Sequence, residues 1–263
     1  VESIINILSL FDGISGAKVA LNRLGINTKF CYFASEIDKY AIKISRKNHP
    51  DIFQLGNIND IRVIDLPQID LLIGGSPCQG FSFAGKQLNF KDKRSKLFFE
   101  YVRLLKECTP KYFLLENVRM KKEYQDVISD LLGVKPIIIN SALVSAQNRV
   151  RLYWTNIKVV DQPQDKGELL KDIIVDGVVD REKAHCIDAN YYKGVTPEYY
   201  FSKSRRQIVF KDKSHRKLTP LECERLQTYP DNYTEGVSNT QRYKMLGNSF
   251  TVDVTRYILS YMC

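Results

Sequence analysis

One repeated order restricts this chain most: a short apolar run rich in β-branched residues, a polar or glycine-bearing turn, then apolar residues at helical spacing. The run over 4–11 breaks at Asp12-Gly13-Ile14-Ser15-Gly16, and Ala17, Ala20, Leu21 and Leu24 then recur with helical periodicity. A second run, 30–34, meets Glu36-Ile37-Asp38 and a helical stretch over 41–48. A third, 69–73, ends in Gly74-Gly75-Ser76-Pro77, with helical spacing over 97–106, and a fourth, 112–115, ends at Glu116-Asn117. The pattern continues as a helix over 123–132, a strand over 135–140 and a last pair over 141–146 and 151–157. Strands alternating with helices predict an α/β fold, a doubly wound and mostly parallel sheet.

With 263 residues, 44% of them hydrophobic, the chain has the material for a large core, which excludes a disordered regulator. No apolar run approaches the ~20 residues that span a bilayer. Residues 1–10 lack a basic start and a small-residue cleavage site and do not read as a signal peptide; the first residue, Val1, points to a processed start. Six cysteines without a C-x-x-C pair, beside three histidines, argue against a structural zinc site and predict no metal. Cys31, Cys108, Cys223 and Cys263 read as buried, inert thiols, while Cys186 stays open.

The rhythm changes after residue 158. We therefore divide the chain into a core over 1–158, a small appended region over 159–215, and a segment over 216–263 that returns to the core. In the last, Thr219 caps a helix with Pro220 at its first position, and 252–261 forms a closing helix. The formal net charge of +9 is unevenly spread. Residues 161–180 hold six acids and two lysines, whereas 201–217 hold seven basic residues (Lys203, Arg205, Arg206, Lys211, Lys213, Arg216, Lys217) against Asp212. Such a run suits a polyanionic partner.

Loops leaving the carboxyl ends of parallel strands are where such sheets hold ligands. Gly13 and Gly16 permit a tight turn and close backbone approach, but G-x-x-G is not the dinucleotide fingerprint. Glu36, at the end of the second strand, stands where an acid holds ribose hydroxyls, and together these point to an adenosine-containing cofactor. Cys78 follows Gly74-Gly75-Ser76-Pro77, a setting that presents a thiol in a loop, where the thiolate is the reactive form. The segment 81–96 carries Lys86, Lys91, Lys93, Arg94 and Lys96 against Asp92 and is long enough for a lid or binding loop. Glu116 ends a strand at the same rim, where a carboxylic acid can donate to a ring nitrogen. Arg149 and Arg151, two apart on an extended segment, share a face and can address one anionic site.

In this order the segments resemble the DNA (cytosine-5)-methyltransferases: F-D-G-I-S-G at 11–16, the acid at 36, G-N-I at 56–58, G-S-P-C-Q-G-F-S at 75–82, D-K-R-S-K-L-F at 92–98, E-N-V at 116–118, Q-N-R-V-R at 147–151, R-K-L-T-P-L-E-C-E-R-L-Q-T-Y-P at 216–230 and L-G-N-S-F at 246–250. The short interval between 157 and 216 is similar to that of the animal de novo methyltransferase catalytic domain. The resemblance implies the S-adenosylmethionine-dependent fold, transfer of a methyl group to C5 of a flipped cytosine in duplex DNA, and S-adenosylhomocysteine as product. It implies Cys78 as nucleophile, Glu116 at the cytosine ring, and Arg149 and Arg151 as positioning groups. Phe11, Gly13, Ile14, Gly16, Glu36, Ile37, Asn57, Ile58, Leu97, Asn248 and Ser249 fall on cofactor positions. Gln79, Ser82, Lys86, Arg94, Lys203, Arg205, Arg206, Lys211 and Lys213 are the expected DNA contacts, with 159–215 as target-recognition region. Asn57 stands where the family often has Asp, Ser95 where it has Gly, and Phe250 where it has a smaller apolar residue.

The resemblance further implies a cytoplasmic protein of bacterial, plasmid or phage setting, with a partner restriction nuclease or a homo-oligomer as companions and no membrane. Two alternatives are an RNA cytosine-5 methyltransferase and a non-catalytic DNA-binding accessory of this fold. The C-F-T tripeptide usual in the tRNA-acting members is missing, Cys186 being followed by Ile187-Asp188, and an accessory would lack Cys78 or Glu116.

Overall fold

The structure is a computed structural model that describes residues 4–25, 28–76, 96–203, 205–212 and 214–262. The first part of the chain forms β1 (Ile4–Leu10), α1 (Gly16–Asn22), β2 (Lys29–Ser35), α2 (Lys39–Asn48), β3 (Phe53–Gln54), β4 (Leu71–Gly74), α3 (Lys96–Cys108), β5 (Tyr112–Val118), α4 (Lys122–Leu132), β6 (Ile137–Asn140), β7 (Gln147–Asn148) and β8 (Val150–Thr155). There follow α5 (Leu170–Ile173), β9 (Ala184–His185), α6 (Pro197–Lys203), β10 (Ile208–Lys211), β11 (Ser214–Lys217), α7 (Pro220–Leu226), α8 (Asn239–Asn248) and α9 (Val252–Leu259).

Seven strands pair in the order β3-β2-β1-β4-β5-β8-β6. The first five are parallel, and β8 runs antiparallel to both β5 and β6. From β1 the chain winds outward to β2 and β3, then returns to add β4 and β5 on the other side. The strand order thus reverses at β1 and β4, and a crevice opens beyond their carboxyl ends, the place where doubly wound sheets take ligands.

Side chains alternate across each strand. Ile7 of β1, Leu71 and Ile73 of β4, Leu114 of β5 and Tyr153 of β8 enter one buried cluster; their neighbours Leu8, Leu72, Leu115 and Trp154 enter the other. Both faces are therefore covered, which is why these strands read as nearly continuous apolar runs. α1 and α9 pack on the first face, α3 and α4 on the second. The helix starts follow their sequence signals. Asp38 accepts from the Tyr40 amide at 2.9 Å to open α2, and Thr219 and Glu222 form a reciprocal capping box on α7 behind Pro220.

One expectation changes. The stretch 141–146 is not a strand: Ser141–Leu143 is a 3-10 turn capped by Asn140. Its serines are buried donors, Ser141 to the Thr251 hydroxyl at 2.8 Å and Ser145 to the Leu226 carbonyl. The region 159–215 also shares the main core, contributing Leu170, Ala184, Ile187, Tyr191 and Val209 to the same cluster as α1 and α9. Among the described residues, no helix is long and apolar enough to cross a membrane.

Candidate functional site

The turn after β1 is built around a carboxylate that sequence reasoning passed over. Asp12 is buried, its amide donates to the Ser35 carbonyl at 3.1 Å, and its carboxylate accepts from Ser9 and Ser15 at 2.6 Å and from Tyr32 at 2.7 Å. The spacing Ser9-x-x-Asp12-x-x-Ser15 was the available signal. These bonds hold a backbone in which Phe11, Gly13 and Ser15 all have positive φ, a conformation costly for the two non-glycine residues. Burial outweighs the three hydroxyls and pushes the Asp12 pKa up to about 6.

A raised folded-state pKa favours the folded chain while the group is protonated. The Asp12 contribution is fully present below pH ~4 and is lost as pH rises through about 6, a change of about 3 kcal/mol for a shift of this size. Denaturant titrations from pH 4 to 7 should show that decline, and Asp12→Asn should remove it; an unchanged pH slope in the variant would refute the assignment.

Across the crevice, Glu36 Oε2 accepts from the Gly13 amide, while Oε1 accepts from the amides of Ile37 and Asp38, all at 2.8 Å. The acid thus ties the first turn to the second and keeps free lone pairs towards a cavity of about 370 Å³. Phe11, Gly13, Gly16, Glu36, Ile37, Asn57, Ile58, Leu97, Asn248 and Ser249 all line that cavity. Ile14 does not: it is buried in the core and offers its carbonyl to the Tyr233 hydroxyl at 2.7 Å. Asn57 caps a 3-10 turn, its Oδ1 accepting from the Asn59 amide at 3.1 Å and side chain at 2.9 Å. Phe250 lines the cavity close to Gly16 and Gly75. Lys244 stands at the same wall, paired with Asp38 at 2.8 Å.

The other end of the cavity is polar. Glu116, at the end of β5, meets Arg151 of β8 with Oε1 3.0 Å from Nε, and both side chains are largely withdrawn from water. Antiparallel pairing sets this up: Glu116 lies opposite Tyr153, so Arg151 is its diagonal neighbour on the same face. Asn117 donates to the Ser76 hydroxyl at 3.2 Å, joining the end of β5 to the loop after β4.

Arg149 lines the cavity too, but its guanidinium is committed. Nη1 donates to the Ile187 carbonyl at 3.0 Å, and Nη2 to the carbonyls of Gly247 at 3.2 Å and Ser249 at 2.9 Å. Both guanidiniums approach one sulfur, Cys186 Sγ, at 3.4 Å and 3.8 Å, but they serve different groups besides. Arg151 holds the glutamate, whereas Arg149 ties the 184–191 region to α8 and the segment after it.

The basic run is likewise less free than its sequence suggests. Lys211 and Arg216 both pair with Asp176 at 2.6 Å, Arg205 pairs with Asp188 at 2.8 Å, and Arg206 donates to the Gly194 carbonyl at 3.1 Å. The acidic stretch folds against the basic one, which lowers the local field. Lys203 remains exposed on α6 beside the exposed rings of Tyr199 and Phe201. Cys78, Gln79, Ser82, Lys86, Arg94 and Lys213 lie outside the described residues. Of the other thiols, Cys108 and Cys223 are buried whereas Cys31 is only half-buried, and burial pushes the Cys108 pKa up to about 11. Among the described residues, no cluster of His, Cys, Asp and Glu suits a metal ion.

Comparison with known proteins fits this arrangement. The family model for C-5 cytosine-specific DNA methylases matches residues 5–172 and 120–263. The chain is 33% identical to the Type II methyltransferase M1.ScrFI of Lactococcus lactis subsp. cremoris, over 97% of this chain and 77% of that protein. It is 31% identical to M.NlaX of Neisseria lactamica, over 97% and 95%. The solved methyltransferase EhMeth of Entamoeba histolytica superposes with a TM-score of 0.79 at 21% identity, covering 99% of this chain and 98% of that one, a likeness of fold. The chain belongs to the C-5 cytosine-specific DNA methylase family and is an S-adenosylmethionine-dependent DNA (cytosine-5)-methyltransferase.

Proposed function

We propose that the cavity between β1, β2 and the segment after α8 holds S-adenosylmethionine, and that its Glu116–Arg151 end receives a cytosine turned out of duplex DNA. One observation carries the reading: a ribose-type acid, Glu36, and a base-facing acid, Glu116, border one continuous cavity at the switch point of the sheet. The residues fit the cofactor. Glu36 offers lone pairs to ribose hydroxyls, and Ile37, 75% exposed although apolar, offers a surface that a purine would cover. Phe11, Gly13, Gly16, Asn57, Ile58, Leu97, Asn248 and Ser249 would complete its surroundings. When bound, the cofactor supplies the electrophilic methyl group that C5 accepts.

The chain's own residues prepare the base. Cytosine C5 is a poor nucleophile until a thiolate adds to C6; we assign that addition to Cys78, since a thiolate adds at neutral pH and leaves readily afterwards. Glu116, carrying or sharing a proton with N3, donates to N3 and accepts from the exocyclic amino group, offsetting the negative charge that grows on the ring during addition, so its contribution is larger in the transition state. Arg151 fixes the carboxyl group in that orientation. Once C5 carries the methyl group, a base such as water takes the C5 proton, the C–H electron pair re-forms the C5=C6 bond, and the C6–S bond breaks to release Cys78 as a thiolate.

C5 and C6 are inaccessible inside a duplex, so the base must leave the stack. Gln79, Ser82, Lys86 and Arg94 would meet the DNA on one side. Lys203, with Arg205, Arg206, Lys211 and Lys213, would do so from the recognition region 159–215, set between the core over 1–158 and the returning segment over 216–263. Arg205–Asp188 and Lys211–Asp176 are solvent-exposed pairs of small individual worth, so phosphates can replace their carboxylates at little cost. Tyr199 and Phe201 are available for shape contacts. A recognition region this short favours a brief target site, with a second copy of the chain adding DNA contact. The bacterial relatives favour a bacterial or phage setting in the cytoplasm, with a partner nuclease as one arrangement.

A random-sequence duplex DNA library and its RNA counterpart, each incubated with S-adenosylmethionine and read by bisulfite sequencing, test substrate and site together. Cytosines in a short common DNA context should be protected. Methylation of RNA alone would overturn the DNA reading.

A further inference from the structure

Behind the two active-site arginines lies a thiol that the reaction above does not use. Cys186, directly after β9, is partly buried, with Sγ 3.4 Å from Arg149 Nη1 and 3.8 Å from Arg151 Nη2. Arg149 is 3% exposed, makes no ion pair with a carboxylate among the described residues, and leaves its buried Nε without a hydrogen-bond partner. A guanidinium removed from water without an anion is costly. Glu116 already balances Arg151, and Asp188, two residues beyond Cys186, is bound to Arg205. The sulfur is therefore the group placed to balance Arg149.

We propose that Cys186 is a positioning residue, a thiolate counter-ion that holds Arg149 and Arg151 and, through Arg151, aims Glu116 at the cytosine. The inference rests on Glu116 being the base-facing acid. Burial pushes the Cys186 thiol up, and the charges of Arg149 and Arg151 outweigh that penalty, leaving its pKa below the ordinary thiol value. The sulfur also lies 3.4 Å from the Ile187 carbonyl, where a protonated thiol would donate. Two guanidinium N–H groups point at the sulfur against that single carbonyl, and the carbonyl is already engaged by Arg149 Nη1. The balance favours the anion. With Arg149 bridging to Gly247 and Ser249, the thiolate also links the recognition region to the cavity wall.

Thiolate absorbance near ~240 nm reads the ionisation directly. In Cys78→Ser protein, which removes the proposed nucleophile, one thiolate should be present at pH 7.5. It should disappear in the folded double variant Cys78→Ser/Cys186→Ser, and unfolding the single variant at that pH should leave only the partial ionisation of its five ordinary thiols, about half a thiolate. In otherwise native enzyme, Cys186→Ser should slow single-turnover methyl transfer about 10- to 100-fold, the span of one charged hydrogen bond. Cys186→Asp should restore most of that rate, and S-adenosylhomocysteine affinity should stay within about threefold in both variants. Absence of the thiolate signal overturns the proposal, as does full activity in Cys186→Ser or equal impairment in the serine and aspartate variants. If Cys186→Ser does not fold, the folded-minus-unfolded absorbance of the Cys78→Ser protein still decides. Undiminished transfer by Glu116→Gln would instead refute the catalytic role of Glu116 while leaving the thiolate signal intact.

Discussion

Cys78→Ser protein should transfer no measurable methyl group to DNA, a loss of at least about 10⁴-fold in rate, while binding S-adenosylhomocysteine almost as the native chain does. A hydroxyl at that position is protonated at neutral pH and cannot add to C6, so C5 stays an unreactive aromatic carbon. The cavity residues that would hold the cofactor are contributed by other segments, chiefly the turns after β1 and β2 and the chain after α8, which is why binding should survive. Tritiated methyl incorporation measures the first quantity and calorimetric titration the second. A complementary result is expected from native enzyme with duplex DNA carrying 5-fluorocytosine and S-adenosylmethionine. An adduct stable to denaturing detergent should accumulate, because fluorine at C5 cannot depart as the proton does. Persistent incorporation by the serine variant, or no adduct with the native enzyme, would refute covalent attack by Cys78.

Gly247→Ala should destabilise the fold by about 3 kcal/mol, at the upper end for overpacking, and abolish most activity. Gly247 lies in α8, where a Cβ would come within 3.0 Å of backbone atoms of Asp188 and Ala189, and backbone cannot yield as a long side chain does. Its carbonyl also receives Arg149 Nη2 at 3.2 Å. A methyl group here would therefore separate α8 from residues 188–189 and disturb the Arg149 clamp. For a chain of this length the melting temperature should fall by roughly 6–12 °C, with a larger proportional loss of methyl transfer. Native stability in the alanine variant would mean that the contact between α8 and residues 188–189 is looser than the structure indicates.

Glycine is needed at these two sites for different reasons. Gly13 has φ +59°, with nothing near an added Cβ, so the constraint is backbone conformation. Gly247 has an ordinary helical backbone, and the constraint is a neighbour nearly 60 residues away in sequence. The first can be read from a turn pattern. The second cannot.

That contrast separates what the sequence determined from what the tertiary structure decided. Local periodicity fixed the central strands and the helices between them, with the polar turns at strand ends, because a strand covered on both faces must be apolar along its length. Most candidate site residues sit in those turns or near strand ends, so Glu36, Glu116 and the Gly13–Gly16 turn were legible in the sequence. Pairings between distant segments were not. The 161–180 acids neutralise part of the 201–217 bases, Asp12 gathers hydroxyls from two strands and a turn, Ile14 turns inward, and Arg149 spends its donors on three carbonyls. Cys186 meets its two arginines across 35 and 37 residues of chain. A charge in a sequence carries a sign but no distance, and electrostatic and packing energies are set by distance and solvent access, which the folded chain alone supplies.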